Sequence, residues 1–118
     1  MLITLPFPIS VNSAYGGGSG QQRFKSKSLK VWLSKCPSLN EKITQYPVHI
    51  TYTFYWPCKR MRDGQNYMKV PLDYLVNQGV LMDDNYNHVA SEDWKHGGVD
   101  KLSPRVEIEI MGCVAPDC

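Results

Sequence analysis

The chain has 118 residues, the size of one compact domain, and leaves no room for a second hydrophobic core. Hydrophobic residues make up 42% of the sequence, and no apolar run reaches the roughly 18 residues of a membrane span, so we expect no membrane partner. The N-terminus, MLITLPFPIS, has two prolines and no basic residue, unlike a signal peptide, and we expect a cytoplasmic protein.

The net charge is only +2, but it is unevenly distributed along the chain. Residues 1–40 carry five basic and no acidic side chains, whereas residues 41–118 carry 8 basic and 11 acidic ones. A basic N-terminal third suits a polyanion, and an acidic remainder suits a cation. The four cysteines, Cys36, Cys58, Cys113 and Cys118, have neither zinc-site nor disulfide-framework spacing, so we expect reduced thiols.

The N-terminal third predicts one short strand and one basic helix. Leu2–Leu5 is an apolar run that ends at prolines. Residues 10–22 are rich in glycine and serine but lack the Gly-Lys-Ser/Thr of a phosphate-binding loop, so they indicate a mobile loop. Residues 26–36 place apolar side chains at helical spacing with lysines opposite, and Pro37 ends the helix. The apolar stripe comprises Leu29, Trp32, Leu33 and Cys36.

The middle of the chain predicts a strand followed by a second helix. Residues 46–56 alternate and are rich in β-branched and aromatic side chains, which is typical of a strand. One face of this strand carries Val48, Ile50, Tyr52, Phe54 and Trp56. Residues 66–78 indicate a helix, but Pro71 would kink its interior. Regular helix is therefore expected to begin near Met68 or Lys69.

The C-terminal part predicts two further strands. Residues 80–84 form an apolar connector that ends in two aspartates, and residues 88–94 are compatible with a strand. Residues 95–103 indicate a hairpin loop, and residues 104–111 alternate as a final strand. Its inward side chains are Val106, Ile108 and Ile110. The order β-α-β-α-β-β predicts one α+β domain over residues 1–118, with a mixed sheet and two helices on one face.

Carboxylates concentrate where the chain returns from the second helix. Asp63 ends a basic turn over residues 57–63, and Asp83 and Asp84 follow the helix. A strand–helix–return unit can bring these groups together, and close carboxylates require protonation or a cation. Oxygen ligands favour Mg²⁺ or Mn²⁺, which can activate water and stabilise a displacement at phosphorus. Cations that suit a phosphate substrate flank Asp63: Lys59, Arg60, Arg62 and Lys69.

An ordinary structural explanation fits the same residues. Two aspartates after an apolar connector are common in turns, and Asp63 can cap the following helix. A basic helix face is usually just solvated. Spacing by itself favours this structural explanation over a metal site.

The segment from Arg62 to Asp84, RDGQNYMKVPLDYLVNQGVLMDD, resembles the core of the RusA family of Holliday-junction resolvases. That family carries R-D-x-D-N-x-x-K, a helical segment, and then G-x-x-x-D-D. The matching residues are Arg62, Asp63, Asn66, Lys69, Asp73, Gly79, Asp83 and Asp84. The N-terminal LPFPISVNSAY is also similar to the family's opening, through Leu5, Pro6, Pro8, Ser10, Asn12 and Tyr15.

The resemblance implies a homodimer, of phage or prophage origin, that binds four-way DNA junctions and nicks two opposed strands. It implies that Asp63 and Asp84 hold Mg²⁺ or Mn²⁺, with Asp83 beside them, and that Lys69 is the essential lysine. We predict that the DNA-binding residues are Lys27, Lys30, Lys35, Lys59, Arg60, Arg62 and Asn66.

Gln65 departs from the family pattern, which has an aspartate at this position. Three interpretations stay open: Asp83 supplies the missing charge, Gln65 is a neutral metal ligand, or the protein binds junctions but cuts them poorly. The main alternative to a resolvase is therefore a module that grips branched DNA without efficient cleavage. An adaptor domain without a nucleic-acid partner is a third class, and it would lack the steep salt dependence of phosphate binding.

Overall fold

The computed structural model describes residues 1–16 and 24–112, which form a mixed four-stranded sheet with helices on one face. Its strands are β1 (Leu2–Pro6), β2 (Tyr15–Gly16), β3 (Phe24–Lys25), β4 (Val48–Trp56), β5 (Val89–Val99) and β6 (Arg105–Gly112). Its helices are α1 (Val11–Ala14), α2 (Lys27–Lys35) and α3 (Lys69–Asn77), with a 3₁₀ turn at Gly64–Tyr67. The α+β class is confirmed.

The order of strands in the main sheet is β1-β6-β4-β5. β6 pairs antiparallel with both β1 and β4, whereas β4 and β5 are parallel. Parallel neighbours need a crossover connection, and the 3₁₀ turn with α3 provides it. The predicted aspartates therefore lie at the two ends of this crossover. The short strands β2 and β3 form a separate antiparallel pair.

The core lies between the helices and one face of the sheet. Every second residue of β4, from Val48 to Trp56, is buried, as the alternation predicted. The predicted inward residues of β6 are also buried: Val106, Ile108 and Ile110. The helices contribute Leu29, Trp32, Val70, Leu72 and Leu75, among others. The opposite sheet face carries polar side chains such as His49, which bonds across the strands to Ser91 and Asp93.

Both predicted helices form, with ends that have local causes. Ser26 caps α2 by accepting a hydrogen bond from the amide of Leu29, and Trp32 donates its indole N–H to the carbonyl of Pro6. α3 begins at Lys69, so Pro71 falls in its first turn, where no intrahelical donor is lost. None of the described helices has the length and hydrophobicity needed to span a membrane.

Two predictions of local structure were wrong. β5 continues to Val99, where residues 95–103 had indicated a hairpin loop, and its partner is β4 instead of β6. Pairing with β4 overrides the turn tendency of Gly97-Gly98, and a Cβ at Gly97 would lie 2.9 Å from the side chains of Thr53 and Tyr55. Within the predicted loop 10–22, residues 11–14 are helical, whereas residues 17–23 lie outside the described residues, as does the tail 113–118.

Candidate functional site

Lys69 joins the start of α3 to the turn that follows the helix. Its ammonium Nζ lies 2.9 Å from Oδ2 of Asp84 and 3.0 Å from Oδ1 of Asp73, one helical turn away. These hydrogen bonds, that of Asp84 foremost, raise the pKa of Lys69 above its usual value. The same contact lowers the pKa of the Asp84 carboxyl. The site therefore contains a charged lysine between one carboxylate of its own helix and one from the turn that follows the helix.

Asp83 and Asp84 form an exposed turn. Oδ1 of Asp83 accepts a hydrogen bond from the backbone amide of Asp84 at 2.7 Å, and its Oδ2 accepts one from the side-chain amide of Asn85 at 3.3 Å. This is the turn that the structural explanation of the two aspartates predicted. Asp84 then has a carboxylate that faces Lys69, while Asp83 holds the turn in place.

Asp63 stands at the start of the crossover. Its Oδ1 accepts a hydrogen bond from the amide of Gln65 at 3.1 Å and so caps the 3₁₀ turn, as predicted. Asp63 and the side chain of Gln65 are both exposed. Asn66 lies in the same turn, where its amide donates to the carbonyl of Asp63.

The chemistry of these donors fits a hard divalent cation. Exposed carboxylate oxygens of Asp63, Asp83 and Asp84, with the amide oxygen of Gln65, are ligands that Mg²⁺ and Mn²⁺ prefer. In their present arrangement, Lys69 already neutralises Asp84. Among residues 1–16 and 24–112, no three histidine, cysteine or carboxylate side chains gather closely enough to hold a metal ion. The structure thus brings together Lys69, Asp73 and Asp84, with Asp63 and Gln65 as a separate pair.

Tyr52 and Glu92 are neighbours of this site that sequence reasoning missed. The hydroxyl of Tyr52, which is buried in β4, donates to Oε2 of Glu92 on β5 at 2.6 Å. Burial, the charge of Glu92, and then the charges of Asp73 and Asp84 raise the pKa of this phenol. The Lys69 cluster itself, one ammonium with the carboxylates of Asp73 and Asp84, has a net negative charge. A signal did exist, because a tyrosine hydroxyl on the inward side of a strand needs a partner.

The basic residues of the turn 57–63 fall into two classes. Lys59 and Arg60 are exposed. Arg62 instead lies with its guanidinium carbon 5.9 Å from the ring centroid of Phe7 and 5.8 Å from that of Trp56. It also donates to the carbonyl and sulfur of Cys58. Arg62 thus shapes the turn, and its contact with DNA stays a prediction.

The basic face of α2 is also exposed. Lys27, Lys30 and Lys35 point away from Leu29 and Trp32, which are buried in the core. The side chains of Arg23 and Lys25, which belong to the same basic third, lie outside the described residues. Three cations on one surface of a helix can contact a polyanion together.

Comparison with protein families matches residues 17–111 to endodeoxyribonuclease RusA. The chain belongs to the RusA endodeoxyribonuclease family. A search of the curated proteins finds no match. The family match covers most of the chain, including all of the segment from Arg62 to Asp84, and it confirms the resemblance drawn from the motif. The RusA family is a family of endodeoxyribonucleases, and membership in it implies activity on Holliday junctions.

The RusA motif maps onto one structural unit of this chain. Its first half, with Asp63 and Asn66, forms the 3₁₀ turn, and Lys69 opens α3. Its second half begins at Gly79, whose φ of 80° suits glycine, and ends at Asp84. The contact between Lys69 and Asp84 closes the unit, so the spacing in the RusA motif reflects the length of the crossover.

Proposed function

We propose that this RusA-family chain is a Mg²⁺- or Mn²⁺-dependent endonuclease that resolves four-way DNA junctions by paired nicks, acting as a homodimer. The observation that carries the proposal is the pairing of Lys69 with Asp84 across the crossover, with Asp73 as the second carboxylate on the same ammonium. A carboxylate that could hold a divalent cation, beside an ammonium, is a combination suited to cleavage of a phosphodiester.

Each residue of the site has a role in this proposal. Asp63, Asp83 and Asp84 would hold the divalent ion with Gln65, and that ion supplies positive charge and an activated water when bound. Lys69 would neutralise a phosphate oxygen as negative charge develops during cleavage. Asp73 would keep the ammonium in position, because it pairs with Lys69 from the same helix.

DNA binding would use two exposed basic surfaces of the chain. Lys59 and Arg60 on the exposed turn, with Asn66, would contact the strand that is cut. Lys27, Lys30 and Lys35 on α2 would contact the phosphate backbone of an adjoining arm. Such contacts position a duplex without reading its sequence. Arg62 would act mainly by holding the turn that presents Lys59 and Arg60.

The test is cleavage of a synthetic four-way junction with Mg²⁺ or Mn²⁺, with duplex and single-stranded DNA as substrate controls. We expect junction-specific nicks with the parent chain. Asp63→Asn and Asp84→Asn should abolish cleavage and keep or strengthen junction binding, since both changes remove repulsion toward phosphate. Glu41→Gln, at an exposed position in another segment, is the matched charge control. Parent-like cleavage by either aspartate variant would refute the site assignment.

A weakened, junction-binding relative is the second candidate, because Gln65 replaces an acidic residue of the family motif. The Gln65 side chain is exposed beside Asp63, so a carboxylate at this position would add charge to the proposed metal site. Gln65→Asp should therefore raise cleavage at low Mg²⁺ in an attenuated enzyme, with the difference narrowing as metal saturates. If Gln65→Asp and the parent both bind junctions and neither cuts at any metal concentration, the chain is a binding module.

A further inference from the structure

A groove of about 410 Å³ lies between the turn 58–62 and the sheet. One wall carries Lys59 and Arg60, which are exposed. The opposite wall is aromatic and consists of Trp56 at the end of β4, with Trp94 and His96 on β5. Sites for unpaired nucleic acid combine these two features, because cations follow the backbone and rings stack on bases.

The aromatic wall is fixed by contacts within the protein. The His96 and Trp56 rings are nearly parallel, with an interplanar angle of 24° and centroids 6.3 Å apart. The indole Nε1 of Trp56 donates to Nδ1 of His96 at 2.7 Å, so a neutral His96 carries its proton on Nε2 and presents a donor. His96 is exposed. A ring that is ordered before binding loses little entropy when a ligand stacks on it.

Trp94 connects this groove to the proposed catalytic site. A Cβ built on Gly64 would lie 2.2 Å from Cδ2 of Trp94, so the indole packs directly against the backbone of Gly64. Gly64 follows Asp63, the predicted metal ligand, in the chain. Trp94 keeps 36% of its surface exposed and lines the groove. A strand whose phosphate sits at Asp63 would therefore present a neighbouring nucleotide to this groove.

We propose that this groove binds one unstacked base of the strand being cut, next to the scissile phosphate, with Trp94 and His96 as the stacking wall. Lys59 and Arg60 would contact the phosphates that flank the base. Extruding a base costs least where pairing and stacking are already interrupted, as at a branch point. The groove would thus favour branched over continuous duplex DNA. This inference rests on the proposed junction-cleaving function and names the feature of the substrate that the chain recognises.

The test pairs a change in the DNA with a change in the protein. Four-way junctions carry one abasic residue, placed at each nucleotide around the branch point in turn, and binding is measured without divalent cations. At one position near the cleaved bond, the abasic residue should weaken binding by the parent chain roughly ten-fold. His96→Ala should weaken binding to the intact junction to a similar extent. For the His96→Ala variant, the same abasic residue should weaken binding almost no further, because both changes remove the same contact between His96 and the base.

Two further variants serve as controls. His88→Ala removes an imidazole just before the start of β5, away from the groove, and should respond to abasic residues as the parent does. Trp94→Phe keeps a ring on the stacking wall with less disturbance of the fold than truncation, and it should retain the sensitivity to the abasic residue.

The outcomes separate this inference from the proposed function. The base-binding groove would be overturned if, at every abasic position, the abasic residue weakened binding by His96→Ala as much as it weakened binding by the parent chain. Normal junction binding and cleavage by the parent chain would then leave the nuclease proposal standing. Failure of the parent chain to bind any junction would overturn both. Equal sensitivity of His96→Ala and His88→Ala to the abasic residue would also reject the groove.

Discussion

Among single residues, Lys69 has ion pairs that contribute little to stability. Its ammonium is bonded to Asp73 and Asp84, but all three side chains are about one-third to one-half exposed. Ion pairs at such positions typically contribute only about 0–1 kcal/mol to folding. A lysine in this arrangement is therefore easy to replace without unfolding the chain, so its proposed catalytic role can be tested by substitution.

We predict that Lys69→Ala slows junction cleavage by about 100-fold, because a cation that stabilises developing charge acts on the transition state. Lys69→Arg should recover only part of this loss, since a planar guanidinium does not replace a compact ammonium. Thermal unfolding should change little for either variant. Lys42→Ala, at another exposed lysine, is the control. Full activity of Lys69→Ala would make Lys69 an ordinary solvated helix residue.

The two cysteines in the described part of the chain differ in the ionisation of their thiols. Burial raises the pKa of Cys36 to about 12. The hydrogen bond from the Arg62 guanidinium, 3.2 Å from the sulfur, lowers the pKa of Cys58. Both are free thiols, as the sequence predicted. Because the thiolate is the reactive form of cysteine, a larger fraction of Cys58 than of Cys36 is reactive at any pH below the usual pKa of a thiol.

Iodoacetamide should therefore modify Cys58 well before Cys36, and mass spectrometry of the peptides will distinguish the sites. Arg62→Gln should slow modification of Cys58, since it removes the group that lowers its pKa. Arg60→Gln keeps the hydrogen bond between Arg62 and Cys58 and removes only a smaller charge effect on the pKa of Cys58, so Cys58 should be modified faster in this variant than in Arg62→Gln. Identical labelling rates for Arg62→Gln and the parent would show that the guanidinium does not control this thiol.

Among the elements, those with strong local patterns could be predicted from the sequence. β4 alternates over its whole length, and α2 has a serine cap, an apolar stripe and a proline stop. The end of β5 could not be predicted in this way, because the pairing of Gly98 with Tyr55 of β4, past an irregularity at Gly97, depends on a partner far away in sequence. Gly-Gly indicated a turn, but backbone pairing in the sheet prevailed.

The candidate site shows the same division between local and distant contacts. The cap at Asp63 and the turn at Asp83 follow from local chemistry and could be predicted. The strand–helix–return pattern predicted that Asp63 would approach Asp83 or Asp84, whereas the contact across the crossover joins Asp84 to Lys69 at the start of α3. The bond between Tyr52 and Glu92 depends on the register of β4 and β5, which the sequence does not reveal by itself.

The basic face of α2 is predicted to contact the phosphate backbone of DNA. Changing Lys27, Lys30 and Lys35 together to glutamine should weaken binding to junction and duplex alike. It should also reduce the slope of log affinity against log salt by up to about three, since each phosphate contact releases counterions. The core side of α2 is untouched, so the fold should persist. The measurement is a salt titration of DNA affinity.

A double variant, Lys42→Gln with Lys101→Gln, controls for the loss of positive charge elsewhere on the surface. Its salt slope should stay close to that of the parent. If the triple variant of α2 also keeps the parent slope, the basic face is solvated and takes no part in DNA binding.

At the scale of the whole molecule, the helices cover one face of the sheet, and the two edge strands of the sheet are β1 and β5. β5 is the longer edge, with 11 residues. Long edges are usually protected or paired in native proteins. A domain of 118 residues gains buried area by self-association, so the homodimer remains a prediction that suits this shape.

Paired nicking gives a direct test of the homodimer. Parent chain and Asp84→Asn are mixed in varying proportions at constant total concentration and allowed to exchange subunits, and products from one junction are separated by the number of cuts. If each subunit of a dimer cuts one strand, full resolution should fall with the square of the parent fraction. Singly nicked junctions should accumulate at intermediate mixtures, because a mixed dimer has one competent site. Asp84→Asn alone must bind the junction for the mixture to be interpretable, and Glu41→Gln in its place should leave resolution unchanged. A linear fall in full resolution with the parent fraction, without nicked intermediates, would show that the two cuts are not divided between the two subunits of a dimer.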